Sequence, residues 1–277
     1  MSWRDLLLGW TFDPAPALVT LGASWLYVAG VRRLAPRGRR WAPARTVAFV
    51  AGMAAVVVAT QSGLARYDTT SFAAHMGQHL LLGMVAPVLL ALGAPVTLAL
   101  QASGRPVQRT LVRIVHSAPV AAVTHPAVGW GLFGGTLFVL YLTPLFGLSL
   151  RNDLVHAAVH LHFVVAGSIF VWPLVGLDPV RWRLPHGARL LSVLLAVPVH
   201  AFLGLALLSA RAPLGDGTWS MNDQRAGVAL LWAVGELLAL GAAAVIFHQW
   251  AAADERAAVR ADRAADRAAD RVAKPAG

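Results

Sequence analysis

The chain has 277 residues, 57% of them apolar and only 13% charged, against roughly 45–50% and about 25% in soluble domains, which excludes a water-soluble globular fold. Its formal net charge of +10 is carried almost wholly by arginine in connections and tail, a pattern of membrane insertion rather than of a nucleic-acid surface. Cysteine is absent and Lys274, the only lysine, lies outside every apolar run, so thiol chemistry, disulfides and an intramembrane Schiff base are excluded together.

About 20 mostly apolar residues are needed to cross a hydrocarbon core of about 30 Å. Seven runs meet that length, near 17–34, 44–62, 74–101, 126–146, 153–175, 188–209 and 225–250. They predict an all-α, polytopic membrane bundle of seven transmembrane helices. Residues 1–16 form a short outer segment, 17–250 the transmembrane domain, and 251–277 a charged Ala/Arg-rich tail. The first residues, with Leu6 to Leu8 as their only apolar cluster and Arg4 as their only cation, lack the core of a cleavable signal peptide. An outside N-terminus leaves eighteen of the 23 cations on the inner side, so the chain is expected N-out and C-in.

The third run is long and holds Pro87 and Pro95, which predicts a kink or tilt. Gly129, Gly131, Gly134 and Gly135 give the fourth a small-residue face for close packing. Trp3, Trp10, Trp25, Trp41, Trp172, Trp182, Trp219 and Trp250 mostly lie near run ends and read as an aromatic belt. Beyond the seventh run, Asp262, Asp266 and Asp270 are each followed by arginine. The tail is therefore expected to continue the last helix, with i,i+3 pairs such as Arg263 with Asp266.

Ionisable residues inside spans are costly and therefore informative. The third and fifth spans both enter from the outer side, and each opens with an i,i+4 histidine pair, His75/His79 and His156/His160. That spacing places both imidazoles of a pair on one helix face, about 5–6 Å apart at Cβ. Met76 borders the first pair, and Met221 and Asp223 of the last outer loop lie within reach. Without thiolates, imidazole plus thioether suits copper, as Cu(I), while zinc stays open through imidazole and carboxylate. Facing histidines also suit haem, but no pairs stack at two depths, which makes haem the weaker cofactor.

Deeper in the membrane, His200 follows Pro198 and Glu236 lies on the seventh span. They read either as an ion or proton path or as a buried hydrogen bond joining two helices. His162 is off the His156/His160 face and reads as packing, while His116, His125, His186 and His248 fall at the inner surface. Phosphate-loop, serine-hydrolase and HExxH motifs are missing, as are paired intramembrane carboxylates, so an enzyme is not expected.

The stretch from His75-Met-Gly-Gln-His79-Leu-Leu-Leu to Pro95 resembles the third-span signature of the CtaG family of cytochrome c oxidase assembly proteins. His125-Pro126, Asn152-Asp-Leu-Val-His-Ala-Ala-Val-His160, Trp172-Pro-Leu-Val-Gly176 and Asp223-Gln224 resemble that family in order and spacing, over roughly residues 17–250. The resemblance implies a multi-pass protein of the bacterial plasma membrane that helps assemble haem-copper oxidases by supplying copper. Oxidase subunits and other copper chaperones are its implied partners. It carries the motif histidines onto His79, His156 and His160, and an acid–amide pair onto Asp223 and Gln224. One position departs: Val159 stands where a glutamate is expected in the family, so the site is expected to be weaker or to be completed differently, with His75 or His162 as the compensating group. A copper or proton transporter using the outer histidines with His200 and Glu236 is the alternative.

Overall fold

The computed structural model describes residues 9–216 and 219–273, and the side chains of these apart from 216, 264 and 266–273. Trp3, Arg4, Leu6 to Leu8, Lys274 and the expected Asp266 and Asp270 pairings lie outside that set. The described chain is helical, without a strand. Six helices are long and apolar enough to span a membrane: Pro14–Arg37, Pro43–Tyr67, Phe72–Ala102, Asp153–Val175, His186–Leu208 and Met221–Arg263. The bent pair Pro126–Leu142 and Leu145–Arg151 makes a seventh, fourth in chain order.

Local chemistry sets the helix starts. Asp13 accepts from the Ala15 N–H ahead of Pro14, Ser71 from that of Ala74, and Asn152 from those of Leu154 and Val155, each satisfying donors that a first turn leaves free. Contacts between ends show that successive spans run antiparallel. At one end Thr11 N–H meets the Gln61 carbonyl, and Asp223 meets Ser71 and Phe72. At the other, Arg37 donates to the Ala102 carbonyl and Arg189 to Gln249. The arginines of residues 32–45, 105–113 and 181–189 belong to this second, arginine-rich end.

The third span is broken twice, as its prolines predict. Phe72–Leu80 passes through a π-helical turn, Leu81–Val85, into Ala86–Leu92. The chain then turns at Ala94, at φ 48°, before Pro95–Ala102. Asp178 rebuilds the cap there, accepting from Thr97 N–H at 2.7 Å, Thr97 Oγ1 at 2.6 Å and Trp172 Nε1 at 2.9 Å. The first two spans pack on this lower half, where Tyr27 stacks on Phe49 at 4.0 Å and donates to the Gly93 carbonyl.

Three expectations change. The fourth span, read as continuous over 126–146, ends at Leu142 and bends by 75° into Leu145–Arg151. Thr143 is extended there, and Pro144 has no N–H for the helical ladder. The connection after the third span, read as a loop, contains helices Arg105–Val115 and Ala118–Val123. On the first, Arg105, Arg109 and Arg113 share one face and Val107, Leu111 and Ile114 the opposite one, with no residue buried, the pattern of a helix lying in a membrane interface. Trp219 is no belt residue: it is 4% exposed and packs against Phe72 and Phe146 at 5.4 and 6.0 Å, because its loop folds back over the bundle. The tail does continue the last helix, Met221–Ala273.

Candidate metal centre

The crossing of the third and fifth spans builds the site. A Cβ on Gly167 would overlap the Gly83 carbonyl oxygen, so only glycine lets the fifth helix come this close. Pro87, four residues on from Gly83, has no N–H to offer that carbonyl. The crossing lies one turn below His79 and brings both histidine pairs face to face. His75 and His79 have ring centroids 4.1 Å apart, His156 and His160 4.2 Å, His75 and His156 5.4 Å, and His79 and His160 5.6 Å.

Ligand nitrogens of His75, His79 and His156 all lie within 4.8 Å of one another. His75 is fully buried and His79 4% exposed. The Nε2 atoms of all four histidines are buried and have no hydrogen-bond partner. Buried polar atoms are nearly always paired, so four orphaned imidazole nitrogens in one cluster suit a cation that would take their lone pairs.

The opposite ring nitrogens fix two of the tautomers. His75 Nδ1 donates to the Asp68 carbonyl at 3.1 Å. His79 Nδ1 lies 2.6 Å from the Tyr141 oxygen, and with the Tyr141 hydroxyl donated to Met76 Sδ at 3.4 Å the imidazole is the donor of that pair. Both histidines therefore present an unprotonated Nε2 to the cluster, as metal ligands require. Met76, expected as a ligand, stands instead behind His79 as the acceptor for Tyr141.

A carboxylate is present, though not on the fifth span. Asp68, in the turn before the third span, places Oδ2 3.8 Å from His156 Nε2. Burial pushes its carboxyl up to about 6, and the Asp153 charge adds to this, while hydrogen bonds from Gln78 and the Thr69 backbone act the other way. Val159 packs into the apolar core. His162 is bound to Thr136 at 2.6 Å, away from the cluster, whereas His75 and Asp68 both stand beside His156.

Asp223 and Gln224 act at a distance. The Asp223 carboxylate accepts from Ser71 Oγ and the Phe72 N–H, capping the third span from the seventh. Gln224 is buried, donates to the Leu207 carbonyl and accepts from the Leu214 N–H. Met221 opens the same helix, half-buried. His200 is 1% exposed and faces Gly235 and Phe133. No hydrogen bond or ion pair joins it to half-buried Glu236, so the expected intramembrane pair does not form.

Asp68 and Tyr141 were the residues missed from sequence. Asp68 is an acid in the short turn between the second and third spans, and Tyr141, one of three tyrosines, closes the fourth span. Asp68 stands seven residues before His75 but outside the helix that carries it, and Tyr141 lies on another span.

The family profile described as cytochrome c oxidase caa3 assembly factor, Caa3_CtaG, matches residues 25–253. The chain belongs to this family of cytochrome c oxidase assembly factors. The matched segment of this Caa3_CtaG member contains the whole histidine cluster, Asp68 and Tyr141. The uncharacterized protein ML1998 of Mycobacterium leprae (strain TN) is 36% identical over 271 residues, 92% of this chain and 41% of its own length. The uncharacterized proteins Mb0105 of Mycobacterium bovis and MT0111 of Mycobacterium tuberculosis are each 34% identical over 275 residues, 93% of this chain and 42% of theirs. The chain thus spans about two fifths of the length of these curated relatives. No solved structure gives a significant match.

Proposed function

We propose that this family member is a non-enzymatic, copper-handling assembly factor in a bacterial plasma membrane, N-terminus outside and C-terminus in the cytoplasm. Copper is its cargo, held by His75, His79, His156 and His160 and passed to a haem-copper oxidase subunit by ligand exchange. One observation carries this reading: ligand nitrogens of His75, His79 and His156 lie within 4.8 Å of one another, and these three and the neighbouring His160 each bury an Nε2 that has no hydrogen-bond partner. Imidazole suits copper among the first-row metals, and Asp68 offsets cation charge beside His156. Family membership supports the oxidase as client, with other copper chaperones as sources of the metal.

The protein's own residues orient and shield. Tyr141 and the Asp68 carbonyl hold the His79 and His75 rings, and Phe146 and Phe163 pack against those rings to exclude water. A haem fits this cluster poorly, because Phe146 and Phe163 pack directly against the His75 and His79 rings, in space a macrocycle would need. A transport path through His200 and Glu236 lacks its expected pairing.

The test is metal analysis of the purified chain after loading with Cu(I) or Zn(II). About one copper per chain is expected, falling at least about tenfold in His79→Ala/His156→Ala. Unchanged copper in that variant, with the protein still inserted, would sink the proposal.

A further inference from the structure

A cleft of about 470 Å³ lies between the third, fifth, sixth and seventh spans, in the arginine-rich half of the bundle. That volume is within the roughly 300–1,000 Å³ typical of small-molecule sites. Leu92, Phe170, Leu174, Val193, Leu238 and Ile246 are among its walls, and its only charged or amide side chains are Arg189 and Gln249. These two stand together at the end nearest the arginine-rich loops. Arg189 Nη2 donates to Gln249 Oε1 at 3.0 Å, while Arg189 Nε is buried and has no partner.

An apolar space of this size is not stabilised by water, whereas a guanidinium on its wall with one unpaired N–H calls for an anionic acceptor. No carboxylate lines the cleft, and Arg181 and Arg183 on the preceding loop add positive charge at the same end. Basic pockets between spans at the cytoplasmic side are where anionic headgroups bind. We propose that the cleft is a site for an anionic phospholipid, with one acyl chain along the apolar walls and the phosphate on Arg189. The cleft shares Gly83, Met84 and Phe133 with the walls of the small cavity beneath His79 and His200. The bound chain therefore braces the floor of the histidine cluster.

The experiment uses the full chain in detergent. Co-purifying lipid is quantified by mass spectrometry, and thermal stability is measured after delipidation and return of phosphatidylglycerol or phosphatidylcholine. Phosphatidylglycerol is expected to remain at about one per chain and to raise the Tm by several degrees more than phosphatidylcholine. Arg189→Gln removes that headgroup preference. Gly241→Leu fills the cleft where an added Cβ meets nothing within 4 Å, so it folds normally and retains several-fold less lipid of either kind. Equal stabilisation by the two lipids, unchanged retention in Gly241→Leu, or an isoprenoid recovered in place of phospholipid would each overturn the proposal.

Discussion

Tyr141 stands in the middle of a three-residue hydrogen-bond chain, accepting from His79 Nδ1–H and donating its hydroxyl to Met76 Sδ. Tyr141→Phe removes the acceptor for His79 and frees the ring to turn. Copper affinity in a competition titration should fall about tenfold, the lower end of what partners behind a ligand contribute, with expression unchanged. Asp68 sets a pH dependence. Its carboxyl is raised by burial to about 6 in the folded protein, against about 3.9 unfolded. The metal-free fold therefore holds the proton more tightly than the unfolded chain, and stability is lost as pH rises from about 4 through 6. Asp68→Asn removes that loss. The variant should melt higher than wild type at pH 7.5, by at most about 3 kcal/mol, and the two should converge below about pH 4. A gap that widens on acidification would refute the assignment.

The elements themselves show how far local pattern reaches. The histidine pairs were legible because i,i+4 spacing depends only on helical pitch, and the breaks in the third span because Pro87 and Pro95 interrupt the ladder. The end of the fourth span was equally marked by Pro144, but apolar Leu145 and Phe146 carried the hydropathy past it. The amphipathic helix Arg105–Val115 was hidden in the same way, since arginines every fourth residue read first as insertion signals. Because the chain contains no cysteine, single Ile114→Cys and Arg109→Cys variants test that helix directly. In vesicles Arg109→Cys should react with a water-soluble maleimide and Ile114→Cys should be protected; equal labelling would place the helix off the membrane. At the helix crossing, Gly167→Val drives a side chain into the Gly83 carbonyl. Overpacking of this kind costs about 1–3 kcal/mol, and separating the two spans should abolish copper retention even though every histidine remains.

Across the whole bundle, the histidine cluster and the phospholipid cleft occupy opposite halves and meet at Gly83, Met84 and Phe133. Copper retention should not depend on the deep polar residues, because His200 and Glu236 are not joined. Glu236→Gln is expected to bind copper as wild type does, and copper flux into proteoliposomes should match empty vesicles. Flux that Glu236→Gln abolishes would instead favour transport. Hydropathy and helical periodicity, both short-range properties, were sufficient for the apolar spans, the bent fourth one included, and for the two histidine faces. Which groups complete the site depended on contacts between residues distant in sequence. Asp68 reaches His156 across 88 positions and Tyr141 reaches His79 across 62. Asp223, which the motif had placed near the metal, instead caps the third span from 151 positions away. Those assignments follow from how closely two glycines let the helices cross and how the outer turns fold over the bundle. No local periodicity encodes either.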